Sequence, residues 1–110
     1  MLVLPIKKKW FDMIKSGEKK EEYREIKPYY DTRIGKALCG WAFRQCHKDF
    51  IERCMKEKMV EVLFRNGYSV TSPEIWATCK VRIGPGKEEW GAEPGKEYYI
   101  LEIIDWGKYG

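Results

Sequence analysis

Gly17-Glu18-Lys19-Lys20-Glu21-Glu22-Tyr23-Arg24 is the stretch that decides how this chain is read. It has the form G-x-K-x-x-E-x-R and falls between a short amphipathic segment and an alternating one. Upstream, Trp10, Phe11, Met13 and Ile14 are spaced to give a helix over residues 7–17 one buried face. Ser16-Gly17 stops it, with glycine in the usual C-terminal position. Downstream, residues 19–26 alternate as a strand, and Pro28 ends it because proline has no amide hydrogen to give a ladder. On a regular strand Lys20, Glu22 and Arg24 share one face, and Lys19, Glu21 and Tyr23 the other. Joining Lys19 to Glu22 and Arg24 therefore requires it to lie in the turn after Gly17 and curl back. Glycine makes such a turn cheap because it tolerates positive φ.

The rest of the chain supplies the fold that carries this junction. Residues 1–6 read as a short apolar strand, placed at a sheet edge by Pro5. Residues 29–55 are helical in pattern. Ile34, Leu38, Trp41, Ala42 and Gln45 trace one stripe, and Phe50, Ile51, Cys54 and Met55 trace another, with a break near residues 46–49. Lys36, Arg44, Lys48, Arg53, Lys56 and Lys58 populate the exposed sides, so residues 29–58 read as a helical insertion flanking a sheet. Residues 60–64 form a strand ended by the turn Arg65-Asn66-Gly67-Tyr68. Residues 75–83 form another, with Trp76, Thr78, Lys80 and Arg82 on one side and Ile75, Ala77, Cys79, Val81 and Ile83 on the other. Gly84-Pro85-Gly86 reads as a turn and residues 88–95 as a loop. Residues 98–105 close as a strand apolar enough to be buried on both faces. Five strands with two or three helices favour an α+β fold, a small barrel-like sheet decorated by helices.

At 110 residues the chain is expected to be one domain with a single modest core. With 44% hydrophobic and 35% charged residues it belongs to the soluble globular class, not the disordered one. No run approaches a transmembrane helix, and the basic residues follow the first apolar stretch, the reverse of a signal peptide. A cytoplasmic protein is the expectation. The net charge of +4 is uneven: residues 1–60 hold 15 Lys or Arg against 9 acids, while residues 61–110 hold 6 against 8. The basic half also carries the motif, which suits an anionic ligand such as nucleic acid or a phosphate group.

Cys39, Cys46, Cys54 and Cys79, with His47 nearby, have the residue types of a metal set but not its spacing. Cys39 and Cys46 stand in one helical segment, about 10 Å apart along its axis, whereas zinc holds each sulfur at about 2.3 Å. Buried thiols are expected instead, and the sequence asks for no metal and no cofactor. His47, the only histidine, stands in a basic helix and reads as a surface residue.

The helix followed by Gly17-x-Lys19-x-x-Glu22-x-Arg24 resembles the ASCH domain, of the PUA-like superfamily. The likeness reaches most of the chain. Leu4-Pro5-Ile6 with Trp10 to Ile14 is similar to the family's first strand and helix. Phe64-Arg65-Asn66-Gly67-Tyr68-Ser69, Glu89-Trp90-Gly91-Ala92 and Tyr98-Tyr99-Ile100-Leu101 resemble the version common in phage and prophage proteins. The resemblance implies a PUA-like β-barrel of five or six mostly antiparallel strands with flanking helices, a cleft beside the motif, and a ligand that is RNA or a modified nucleoside. It also implies an alternative, since one branch hydrolyses acylated cytidine. Lys19 matches that branch, Glu22 stands where it has threonine, and Glu74, Glu88 and Glu89 are all open as its later acid.

The residues themselves sort the roles. A lysine that acts as base or nucleophile must shed its proton near neutral pH, and Glu22 opposes this while Arg24 favours it. Lys19 is thus better suited to hold an anion or polarise a carbonyl, with Glu22 the general base if there is chemistry. Gly17, Lys19, Glu22 and Arg24 are the expected ligand site, joined by Arg65, within reach of a phosphate, and by Trp90, a loop aromatic that can stack on a base. Three classes remain: a module binding RNA or a nucleotide, a small hydrolase, and a protein-interaction module using the helices of residues 29–59.

Overall fold

The computed structural model describes residues 1–40 and 48–108. Strand β1 (Leu2–Pro5) leads to helix α1 (Lys8–Lys15), strand β2 (Glu21–Glu25), helices α2 (Pro28–Cys39) and α3 (Lys48–Glu57), and strands β3 (Met59–Arg65), β4 (Glu74–Pro85) and β5 (Glu97–Lys108). The five strands make one sheet in the order β1-β3-β4-β5-β2, curled into a half-barrel. The pairing is mixed. β1 runs parallel to β3, with Leu2 opposite Val62 and Pro5 opposite Arg65, while the other three pairings are antiparallel. β1 and β2 are thus the two edges, and the Arg24 guanidinium on β2 donates across to the Pro5 carbonyl on β1 at 2.8 Å.

The inner face follows the alternation of the sequence. On β4, Ile75, Ala77, Cys79 and Val81 are buried, while Lys80 and Arg82 are exposed. They pack with Leu4 of β1, Val62 and Phe64 of β3, Phe11 and Ile14 of α1, and Ile34 and Leu38 of α2. Phe64, Ile75 and Leu101 are fully covered, each such side chain contributing about 1.5–3 kcal/mol by leaving water. β5 is apolar for a reason the registers make plain. Tyr99 and Leu101 enter this main core, whereas Tyr98 and Ile100 form a second cluster on the other side with Ala92 and Tyr23.

Several local outcomes differ from the pattern reading. Gly84 and Pro85, read as a turn, complete β4 and pair with Tyr98 and Glu97. Pro28 opens α2 as its first residue, where a missing amide hydrogen costs nothing. On α3 Cys54 is buried and Ile51 and Met55 are half-buried, but Phe50 is exposed. The stripe residues Trp41, Ala42 and Gln45, together with Arg44, Cys46 and His47, lie outside the described residues. Cys54 and Cys79 are buried thiols and Cys39 is half-buried. Among the described residues no helix is long and apolar enough to cross a membrane.

Candidate functional site

The end of α1 builds the site. Gly17 takes φ +85°, a left-handed conformation that reverses the chain. The Lys19 amide then donates back to the Met13 carbonyl at 2.9 Å. That return sends the Lys19 side chain under the sheet to the face that β2 gives Glu22 and Arg24. Lys19 is 2% exposed and Glu22 6%, and they are the only charged residues in the buried class among those described.

The three charges meet at one carboxylate. Lys19 Nζ lies 3.3 Å from Glu22 Oε1, and Arg24 Nη2 donates to Glu22 Oε2 at 2.7 Å. The ammonium also donates to the Trp90 carbonyl and sits over the rings of Trp10 at 4.7 Å and Tyr23 at 5.1 Å. Arg24 spends its fork three ways, on Glu22, on the Pro5 carbonyl and on the Tyr30 hydroxyl at 3.2 Å. Its buried Nε has no partner among the described residues. Burial pulls the Lys19 ammonium below its ordinary pKa, outweighing the attraction of Glu22. Burial acts the same way on Arg24, but there the charge of Glu22 and the bond to Tyr30 win and its pKa rises. Two cations and one anion leave the cluster one positive charge in excess.

The other face of β2 fixes the neighbouring loop. Tyr23 Oη donates to Glu21 at 2.7 Å and accepts the Lys87 amide at 3.0 Å. Arg82 braces Glu21 at 2.5 Å and Glu102 at 2.8 Å. Tyr23 and Lys19 therefore hold the short 3-10 turn Glu88–Trp90 from both ends. Gly91 completes the turn at φ +102°, so close to Trp10 that an added Cβ would stand 3.0 Å from its ring.

Above the charge cluster is a hollow of about 390 Å³, walled by Trp10, Glu22, Arg24, Tyr30, Trp90 and Tyr98 and rimmed by Lys7, Lys27 and Lys96 with Glu25 and Glu93. A second hollow of about 490 Å³ adjoins it and shares Lys7, Trp10, Glu22, Arg24 and Tyr30, adding Pro5, Ile6, Asn66, Gly67 and Tyr68. Both fall within the usual range for small-ligand sites, about 300–1,000 Å³. A larger hollow of about 570 Å³ lies between β1 and α2, but it contains no buried charge.

Of the residues the sequence points to, Glu22, Arg24 and Trp90 line the first hollow. Lys19 joins Glu22 from beneath and lines neither hollow. Gly17 shapes the turn that aims Lys19. Arg65 is engaged with Glu74 at 2.7 Å, and its neighbours Asn66 to Tyr68, not Arg65 itself, line the second hollow. Sequence reasoning missed Trp10, taken only as core, and Tyr30, Tyr98, Lys7, Lys27 and Lys96 as wall and rim. The excess of aromatics in a small chain was the available signal. Compared with protein-family models, with curated proteins and with solved structures, the chain finds no match in any of the three.

Proposed function

We propose that this chain binds RNA or a nucleotide, modified or not, in the cleft above the Lys19–Glu22–Arg24 cluster, in the manner of an ASCH domain of the PUA-like superfamily. One observation carries the reading: a buried carboxylate held between a buried ammonium and a half-buried guanidinium forms the floor of a hollow walled by Trp10, Tyr30 and Trp90. A buried ion pair adds little stability over an apolar replacement, so its position at the floor of a hollow favours a functional role. Glu22 and Arg24 offer an acceptor and donors to polar edges of a base or ribose, the aromatic walls offer stacking, and Lys7, Lys27 and Lys96 offer charge to phosphate.

Three rim lysines on a single strand give a salt slope near −2, about a 20-fold loss of affinity from 50 to 200 mM salt. Titration of tryptophan fluorescence with a panel of mononucleotides and RNA oligomers tests this. Binding that weakens with salt and is lost in Arg24→Ala supports the reading, while absent or salt-insensitive binding overturns it. The hydrolase alternative, with Glu22 as general base and Lys19 as stabiliser, has weaker support because the Lys19 side chain is fully covered and lines neither hollow.

A further inference from the structure

We infer that the ligand is a single strand of at least two nucleotides that straddles Arg24, with one base in each of the two adjoining hollows. The inference rests on the reading above and adds the size and form of the ligand. The two hollows, about 390 and 490 Å³, share Lys7, Trp10, Glu22, Arg24 and Tyr30, and diverge on either side of them. A mononucleoside fills one and leaves the other open. The cations common to both are Lys7 and Arg24, so a phosphate linking two nucleosides lies where positive charge is shared, with Glu22 already neutralised by Lys19 and Arg24.

The second hollow has an aromatic of its own. Tyr68 is 91% exposed, yet it stands on an ordered turn. The Asn66 amide donates to the Pro73 carbonyl at 2.9 Å, the Ser69 amide donates to Ser72 Oγ at 3.2 Å, and Arg65 pairs with Glu74 at the base of the turn. A ring held in water beside a hollow is a surface on which a base can stack, and the half-buried Trp90 ring lines the other hollow. Stacking requires unpaired bases, so the strand is single. Lys27 and Lys96 rim only the first hollow, which makes that one the seat of a lone mononucleotide.

The test compares the four ribonucleoside monophosphates, the homodinucleotides, a mixed RNA hexamer and the same hexamer in duplex form. The expected result is a hexamer bound at least about 10-fold tighter than the best mononucleotide, one stacked base being worth roughly 5- to 150-fold. Tyr68→Ala removes most of that gain, weakening the hexamer far more than the mononucleotide, and folds normally because the ring is exposed. Trp90→Ala weakens both. Equal affinities for mononucleotide and hexamer, a silent Tyr68→Ala, or a duplex bound as tightly as the single strand each overturn the inference while leaving nucleotide binding intact. Failure of every probe to bind overturns both readings.

Discussion

Replacing Lys19 by methionine removes a charge and keeps nearly the same side-chain volume, and the surroundings of the ammonium set the outcome. Two contacts disappear: the bond to the Trp90 carbonyl and the approach to Glu22 at 3.3 Å. An unpaired buried carbonyl costs about 1–3 kcal/mol. Glu22 keeps Arg24 at 2.7 Å, so it is not left alone, and the variant no longer buries a cation against the 0% exposure of the Lys19 side chain. The loss of the Glu22 contact and the relief of desolvation oppose each other, leaving a net destabilisation of about 2 kcal/mol. For a chain of this size that lowers Tm by about 8 °C. The turn Glu88–Trp90 loosens as well, and affinity for nucleotides drops modestly, because Lys19 positions Trp90 and Glu22 without touching the ligand.

The pH dependence has a definite sign. Burial holds Lys19 below its ordinary 10.5 in the folded state, so between the folded pKa and 10.5 the unfolded chain binds the extra proton. Stability from this group therefore rises with pH across that window. Methionine removes the rise, so the gap in Tm between parent and variant widens as pH climbs from the lowered folded-state value toward 10.5. Thermal melts followed by circular dichroism at several pH values, with nucleotide titration alongside, provide the measurement. A Lys19→Met protein that melts within about 2 °C of the parent but has lost all binding refutes the argument. Its ammonium would then face the ligand.

Gly91→Ala forces a side chain into a left-handed position and drives its Cβ to 3.0 Å from Trp10, so it destabilises by about 1–2 kcal/mol and lowers nucleotide affinity, read by melting and titration together. Tyr99→Phe deletes the hydroxyl that donates to Asp31 and ties β5 to α2, costing about 1 kcal/mol; melting should reveal it, with ligand binding unchanged because Tyr99 lines neither hollow of the cleft. Cys79 is fully covered and burial pushes its thiol up to about 12, so at about pH 8 it should resist alkylation until the protein unfolds, as peptide mass spectrometry would report. Labelling at the rate of an exposed thiol would contradict the placement of β4.

Local periodicity made the elements readable, and local chemistry made half of the site readable. The alternation of residues 75–81 and the helical spacing of Trp10 to Ile14 each reflect a single buried face, which any neighbouring surface could cover, whereas Ile83, expected on the same face of β4, is exposed. Glu22 and Arg24 sit two apart on one strand, so their common face follows from the pleat alone. The left-handed turn at Gly17, which brings Lys19 to that face, was legible because only glycine enters that region freely. What pairs with what was not legible. The parallel register of β1 on β3 depends on a connection containing three helices and β2, and no residue in residues 2–5 encodes direction. Lys19 and the Trp90 carbonyl are 71 positions apart, and a backbone acceptor leaves no mark on the sequence. Trp10 was legible as buried but not as the cleft's wall, because a helix face that meets a ligand and one that meets the core have the same spacing.

The position of the cleft has a structural cause in the incomplete closure of the sheet. A curled sheet with β1 and β2 as edges leaves unpaired backbone groups along both, and such edges must be covered or occupied. Here the seam is bridged by one side chain: Arg24 reaches from β2 to the Pro5 carbonyl of β1. The same guanidinium holds Glu22 and Tyr30, so the group that bridges the seam also orders the floor and one wall of the cleft. A fully hydrogen-bonded barrel would have strand-to-strand bonds at this place and no room for a hollow. A seam without Arg24 would lack the charge that fixes the carboxylate. Lysine at position 24 could not serve instead, since one ammonium on a flexible stem lacks the planar fork that meets three acceptors in fixed directions. The opening between the edge strands and the cleft are therefore one feature, and the order of the motif follows from it: a glycine to turn, a lysine to support from beneath, a glutamate on the floor, and an arginine to span the gap.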